Sequence, residues 1–287
     1  PFWGTMGVQA DVRSATVHDA PLSVWQPFRT RLVSRNRFVQ HGLHFPILPL
    51  LRRFERHVMR GAHLFLMTES GAEATESMMS ESEVTLTFHP VPDRPRITPV
   101  EERPLAIGLF GYVYRGKGFE RLVELRAALD PRIAIRVAGR GTEKLEPMEG
   151  IEILGPVEGR AEDDFFASVR AMVLPYGRRS SYGPATHVAS GTIARAISYE
   201  TPAVVIRFPG VDNEMIVVDE FAQLAGSIEG LVEDDSALIR ARTRLSELRT
   251  ERTTRNAFDR YARTWQAALG GGSVAGAPPR AEPVGAR

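Results

Sequence analysis

Residues 105–118 read LAIGLFGYVYRGKG, and residues 119–129 continue FERLVELRAAL. An apolar strand runs into a glycine-punctuated loop with one lysine, and an amphipathic helix over 118–129 follows. That order suits a phosphate. Glycines let backbone N–H groups approach an anion, and the positive end of the following helix points there. Composition sets the lysine apart. Of the 36 Lys and Arg residues, only Lys117 and Lys144 are lysine. In a chain that uses arginine for ordinary surface charge, a lysine between two glycines is poor surface filler. The same letters also describe a plain strand–helix turn, so the loop must be weighed with its neighbours.

Downstream, the pattern repeats. Strands are predicted at 133–138, 151–154, 171–174 and 202–206, and helices at 161–170, 193–199, 220–231 and 235–268, the last interrupted near 250–253. Strands alternating with helices imply a mostly parallel sheet covered on both faces. Ligands of such sheets bind at the carboxyl ends of the strands. The turns after Phe110, Ala138, Leu154, Leu174 and Ile206 all lie on that side, and they carry nearly all the glycines and polar residues singled out below.

Upstream, residues 14–18 read as a buried strand ending in His18-Asp19. Residues 22–44 are ambiguous and partly helical. Ile47, Leu51, Phe54 and Val58 share one face of a helix over 47–60, with Gly61 as its stop. A strand at 63–67, a helix at 72–79 capped from Thr68-Glu69-Ser70-Gly71 and a strand at 83–88 follow. The run from His89 to Pro104, with prolines at 90, 92, 95, 99 and 104, reads as a linker rather than a core element. The tail 270–287, rich in Gly, Pro and Ala, reads as disordered.

Composition sets the outer limits. The chain has 287 residues, 43% hydrophobic and 25% charged, which is ordinary globular composition with room for two domains. Net charge of +1 gives no polyelectrolyte signature, and no nucleic-acid recognition module is visible. The absence of cysteine excludes disulfides, thiolate metal sites and cysteine nucleophiles, and it fits a cytoplasmic enzyme. No apolar run is long enough to span a bilayer. Pro1-Phe2-Trp3 shows neither the basic start nor the apolar run of a secretory leader. The chain begins with Pro1 and enters a strand almost at once, so a missing natural beginning is expected; a processed but complete N-terminus is the alternative.

Taken together, six pieces in order resemble the donor-binding half of a family 4 glycosyltransferase of the GT-B fold. They are GYVYRGKG at 111–118, VAGRG at 137–141, GPV at 155–157, VLPY at 173–176, SGTIARAISYETPAVV at 190–205 and GVDNE at 210–214. The resemblance covers residues 104–218 well and 13–92 more loosely, through TVHD at 16–19 and the strand–helix at 64–79. It implies an α/β protein of two Rossmann-like domains with parallel sheets, the N-terminal one incomplete. Residues 1–96 would be the acceptor side and 97–252 the nucleotide-sugar side. Residues 253–269 would be a helix crossing back onto the first domain.

The resemblance also implies a substrate and residue roles. A nucleotide-diphosphate-sugar would be the donor, and a hydroxyl of a glycan or lipid-linked acceptor the recipient, as in cell-envelope polysaccharide assembly. Transfer would be retaining, with no metal and no cofactor. Without a cation, the leaving diphosphate must be met by basic side chains and backbone N–H groups. Lys117 and Arg115 are the basic candidates, with Gly111 and Gly139 allowing close approach. Ser190-Gly191-Thr192 at a helix start would be the second anion site, or an ordinary N-cap. Gly155 and Val157 would face the base, and Tyr176 the pocket wall or the core.

The sequence departs from the family at its two glutamates in E-x(7)-E spacing. Aligned on Ala196 and Pro202, those positions are His187 and Arg195. Arg195 cannot accept a hydrogen bond from a ribose hydroxyl. His187 stands as a candidate sugar contact and Arg195 as a donor contact, with Asp212, Asn213 and Glu214 able to contribute polar groups instead. His18, at a strand's carboxyl end, could orient the sugar or the acceptor, with Asp19 orienting it; the other reading is a packed histidine. Two alternatives follow from the departures: a non-catalytic nucleotide-sugar binder, or a nucleotide-sugar epimerase of the same architecture.

One further stretch stands out. From Arg29 to Arg60 there are eight arginines (29, 31, 35, 37, 52, 53, 56 and 60) against one acid, Glu55, with Phe28, Phe38, Phe45 and Phe54 interspersed. This suits peripheral contact with an anionic membrane surface, the inner face for a cytoplasmic enzyme, or a solvated helix face over a core.

Overall fold

Two parallel sheets organise the chain. The computed structural model describes residues 10–20, 42, 46–94, 97–114, 116–176, 187–211 and 214–270. The larger sheet is built from β5 (Ala106–Phe110), β6 (Ala134–Ala138), β7 (Ile151–Gly155), β8 (Ala171–Leu174), β10 (Ala203–Ile206) and β11 (Ile216–Val218). Its order is β11-β10-β8-β5-β6-β7. AMVL in β8 and AVVI in β10 are buried throughout, as strands covered on both faces must be. The edge strand β7 alternates half-buried and exposed.

Each face of this sheet has its own core. Ile107, Leu109, Ile135 and Val137 pack against Leu122 and Leu125 of α3 (Leu122–Ala128) and Ile228 and Leu231 of α6 (Leu224–Val232). On the other face, Met172, Leu174 and Val205 meet Phe165 and Phe166 of α4 (Arg160–Ala167). Ile193 and Ile197 of α5 (Gly191–Ser198) and Leu245 of α7 (Asp235–Glu251) complete that core.

The smaller sheet is β1 (Ser14–Val17), β3 (His63–Leu66) and β4 (Glu83–Leu86), all parallel. One face packs on α1 (Leu48–Met59) and α2 (Glu69–Met78) through Leu64, Leu66, Val58, Met59 and Ala72. The other face receives α8 (Thr254–Leu269). The Tyr261 ring lies 4.1 Å from that of buried Phe65, its hydroxyl is 3.1 Å from Thr16 Oγ1, and Trp265 Nε1 donates to Ser14 Oγ at 3.1 Å. The break before α8 is capped by Thr253, whose hydroxyl accepts from Asn256 N.

Two readings change on this evidence, and a third feature has no counterpart in the sequence reading. First, α1 buries Leu51, Glu55, Val58 and Met59, while Phe54 and Leu50 are exposed. Its inner face is therefore rotated from the Ile47–Leu51–Phe54–Val58 stripe. Second, the proline-rich connection is docked rather than peripheral. Val91 N donates to Arg252 O at the α7–α8 junction, and Val100 is fully buried. Arg103, also buried, donates to Thr98 O, Val169 O, Tyr199 O and Thr201 Oγ1. Third, a two-strand antiparallel pair joins β2 (Asp19–Ala20) to β9 (His187–Val188). Arg29 to Arg37, Phe28, Phe38, Phe45 and the tail from 271 lie outside the described residues. No helix among the described residues is long and apolar enough to cross a membrane.

Candidate functional site

The order of the larger sheet places a crevice. From β5 the chain proceeds to β6 and β7 on one side, then returns to β8 and β10 on the other. The carboxyl ends of β5 and β8 therefore flank the switch point where open α/β sheets bind ligands. The loop after β5 carries Gly111 to Gly118, and the end of β8 leads to Pro175 and Tyr176.

Glycines set the walls. Gly111 N donates to Ala138 O at 3.0 Å and Gly139 N to Gly155 O at 2.8 Å, linking the three turns after β5, β6 and β7. Gly139 has φ 125°, and a Cβ there would lie 2.2 Å from Gly111 O. Gly118, at φ 88°, presses on Pro175, where a Cβ would meet the carbonyl oxygen at 2.4 Å. Each contact is closer than any side-chain-bearing residue permits.

That close approach delivers Lys117. Its Nζ donates to Tyr176 OH at 2.6 Å and stands 4.0 Å from that ring's centroid and 5.4 Å from Tyr114's. Tyr176 OH is 3.2 Å from Ser190 Oγ. No carboxylate among the described residues pairs with Lys117. Ser190 precedes α5 as its N-cap residue, yet its side chain makes no capping bond. The first N–H groups of α5 have no partner within the helix. Thr192 differs from a free donor: its hydroxyl donates to Phe110 O at 3.2 Å and ties α5 to β5.

The antiparallel pair β2–β9 brings the smaller sheet to the same place. Ala189 N donates to His18 O at 3.2 Å. His18 Nδ1 is 3.0 Å from Asp19 Oδ1. His187 Nδ1 is 2.8 Å from Ser70 Oγ at the start of α2, and burial pushes its pKa down. His18, Asp19 and His187 are thus gathered between the two sheets.

His89 joins them, although the proline run around it reads as a linker. Its ring lies 6.0 Å from that of His18. Its Nδ1 donates to Pro90 O at 3.3 Å, and its Nε2 is 3.8 Å from the point where a Cβ on Gly191 would sit. His89 also lines a cavity of about 20 Å³ with Thr68, Ser190, Ala194 and the Glu214–Arg252 ion pair. Burial pushes its pKa below the usual histidine value of 6.5; the bond to Pro90 opposes this, and the nearby His18 and Arg195 lower it further. The unfolded chain therefore binds protons that folded His89 resists, and His187 acts in the same direction. Stability should be full above about pH 6.5 and decline as pH falls through the lower folded value. In His89→Gln, the unfolding midpoint should fall less steeply between about pH 7.5 and 5.5 than in the parent. Parallel curves would show that His89 contributes nothing to the slope.

Arg195 points elsewhere. Its Nε is 3.3 Å from Glu162, a buried carboxylate that also accepts from Arg94 Nη2 at 2.7 Å. Tyr199 OH donates to Asp163 at 2.6 Å, and its pKa is raised, first by burial and then by that bond. Position 195 is thereby held in a network joining α4, α5 and the interdomain connection. Val157 packs beside the second core, and Gly155 is buried at φ 75°. At the same edge Arg140 donates to Tyr112 OH and Glu158. Arg115, Asp212 and Asn213 lie outside the described residues. Among the described residues, no group of three or more His, Asp or Glu is arranged to hold a metal ion.

No protein-family model and no curated protein matches the sequence. Solved structures do match in shape. Anabaena Alr3699/HepE in complex with UDP aligns with a TM-score of 0.59 at 14% identity, over 88% of this chain and 72% of that one. Its complex with UDP-glucose gives 0.57 at 13%, over 75% and 67%. TarM gives 0.54 at 10%, over 88% of this chain and 50% of its own. AviGT4, a glycosyltransferase involved in avilamycin A biosynthesis, gives 0.50 at 15%, over 72% and 64%. The chain thus spans between half and about three quarters of these four structures. Its two parallel α/β units have the arrangement of the GT-B fold.

Proposed function

We propose that the chain is a glycosyltransferase of the family 4 type, moving a sugar from a nucleotide-diphosphate donor to a hydroxyl of a glycan or lipid-linked acceptor. The observation that carries this reading is the convergence of Lys117, Tyr176, Ser190 and the start of α5 at the sheet's switch point. Support also comes from the fold, shared with structures described as complexes with UDP and UDP-glucose.

In this reading residues 97–252 hold the donor. Gly111, Gly139 and Gly155 keep the floor low enough for the nucleotide, and Val157 backs the base. Lys117, with Arg115, meets the charge that grows on the leaving diphosphate, so no metal is required of the mechanism. Tyr176 and Ser190 orient the lysine, and the N–H groups of Gly191 and Thr192 meet the diphosphate from its other side. Residues 1–96 supply the acceptor side, where His18, steered by Asp19, and His187 face the transferring sugar. Arg195 acts through Glu162, fixing α5 rather than touching the donor. Retention of configuration is the stereochemical outcome we propose.

Calorimetric titration with UDP-, GDP- and ADP-glucose tests the reading. Saturable one-site binding of at least one of them is expected, and failure of all three to bind would overturn it. A second reading, a nucleotide-sugar binder without turnover, draws on the commitment of His187 to Ser70 and of Arg195 to Glu162. Binding with neither hydrolysis nor transfer would favour it.

A further inference from the structure

A basic cavity lies at the far end of the smaller sheet. Arg53, Arg56, His57 and Arg60 of α1 and its C-cap line a cavity of about 370 Å³ with Met79, Ser80, Glu81 and Ser82. The Met79–Ser82 turn precedes β4, and Gly61 and Ala62 precede β3. The cavity therefore lies at the amino ends of these strands, away from the crevice between the sheets.

Its charge is unbalanced. Glu81 is the one acid in the lining, and it is paired with Arg60. No ion pair among the described residues neutralises Arg53 or Arg56. Arg53 with Arg56, and Arg56 with Arg60, stand three or four residues apart, where like charges on a helix repel. The negative end of the helix dipole accounts for cations in the last turn, but it does not reach back to Arg53. Ser82 and Arg13 already satisfy the carbonyls of Met59, Val58 and Arg60. Departures from a local charge rule concentrate at functional or strained sites.

We propose that this cavity binds a phosphate ester through the Arg53 and Arg56 guanidiniums. Arginine's planar fork grips phosphate oxygens two at a time, and this chain's preference for arginine over lysine supplies that geometry. The ester is either a free phosphorylated compound or a lipid headgroup. The site is independent of the sugar-transfer reading and stands or falls separately from it.

Thermal unfolding of the full chain in phosphate, against chloride at equal ionic strength, tests the proposal. The measurement is made in a Lys117→Ala background to weaken the other anion site. Phosphate should raise the midpoint by about 2 °C or more. Adding Arg53→Gln and Arg56→Gln should abolish the rise, while Arg53→Lys with Arg56→Lys should keep part of it. The Gln pair should unfold in chloride at the same midpoint as the Lys117→Ala chain, which shows that the fold is intact. An equal phosphate shift in the Gln pair, or no shift in the Lys117→Ala chain, would overturn the proposal. Flotation with phosphatidic acid vesicles but not phosphatidylcholine, lost in the Gln pair, would identify the ester as a headgroup. A phosphate shift without flotation would identify it as free.

Discussion

Lys117→Ala should weaken UDP-glucose binding about 10- to 100-fold while leaving the unfolding midpoint nearly unchanged. Both halves follow from the lysine's surroundings. It is half-buried, it rests on the Tyr176 ring, and among the described residues its ammonium donates to the Tyr176 hydroxyl. No carboxylate among the described residues balances its charge. The folded chain therefore has little use for this cation, whereas a diphosphate at the start of α5 has much. A charge-assisted hydrogen bond contributes about 1.5–3 kcal/mol, and about 1.4 kcal/mol is tenfold in affinity. Calorimetry on the variant should show the loss in affinity with the melting curve preserved. An unchanged affinity would remove Lys117 from the donor site.

Gly139→Ala should cost about 3 kcal/mol or more of stability and abolish nucleotide binding. Two penalties act together. At φ 125° the backbone is in a region that L side chains rarely adopt, and the new methyl would lie 2.2 Å from Gly111 O. That oxygen belongs to the backbone and has no rotamer by which to withdraw. The turn after β5 must move, and with it the loop carrying Lys117. Denaturant unfolding reads the first effect and UDP titration the second. A variant as stable as the parent would mean that the turns after β5 and β6 do not approach as closely as described.

The larger sheet was legible because β5, β8 and β10 are continuous apolar runs, and β5, β6 and β8 lead directly into a glycine or a proline. β5, β6, β8 and β10 could be placed from letters alone, and so could the order of turns around the site. Shorter or longer-range features were not. β2 and β9 have two residues each and pair Asp19 with Val188, too short for any periodicity and too distant for any local signal. β11, three residues at the sheet edge, carries no alternation long enough to read. His89 was hidden by the prolines beside it, which describe a connection correctly but say nothing of what packs on it. A histidine interrupting such a run is the one signal that was available. Phe54 and Glu55 exchange their expected places because the buried face of α1 is centred one position further along than its apolar stripe, and a buried glutamate runs against composition rules. The fate of Arg195 depended on Glu162, a partner that no motif spacing reveals.

The central claim is that a nucleotide diphosphate sits between Lys117 and the start of α5. A crystal structure of the chain with UDP tests it most directly. The diphosphate should lie within hydrogen-bonding distance of Lys117 Nζ and of the backbone N–H groups of Gly191 and Thr192. A diphosphate held elsewhere, in the Arg53–Arg56 cavity for example, would contradict it, as would crystals that take up no UDP at millimolar concentration.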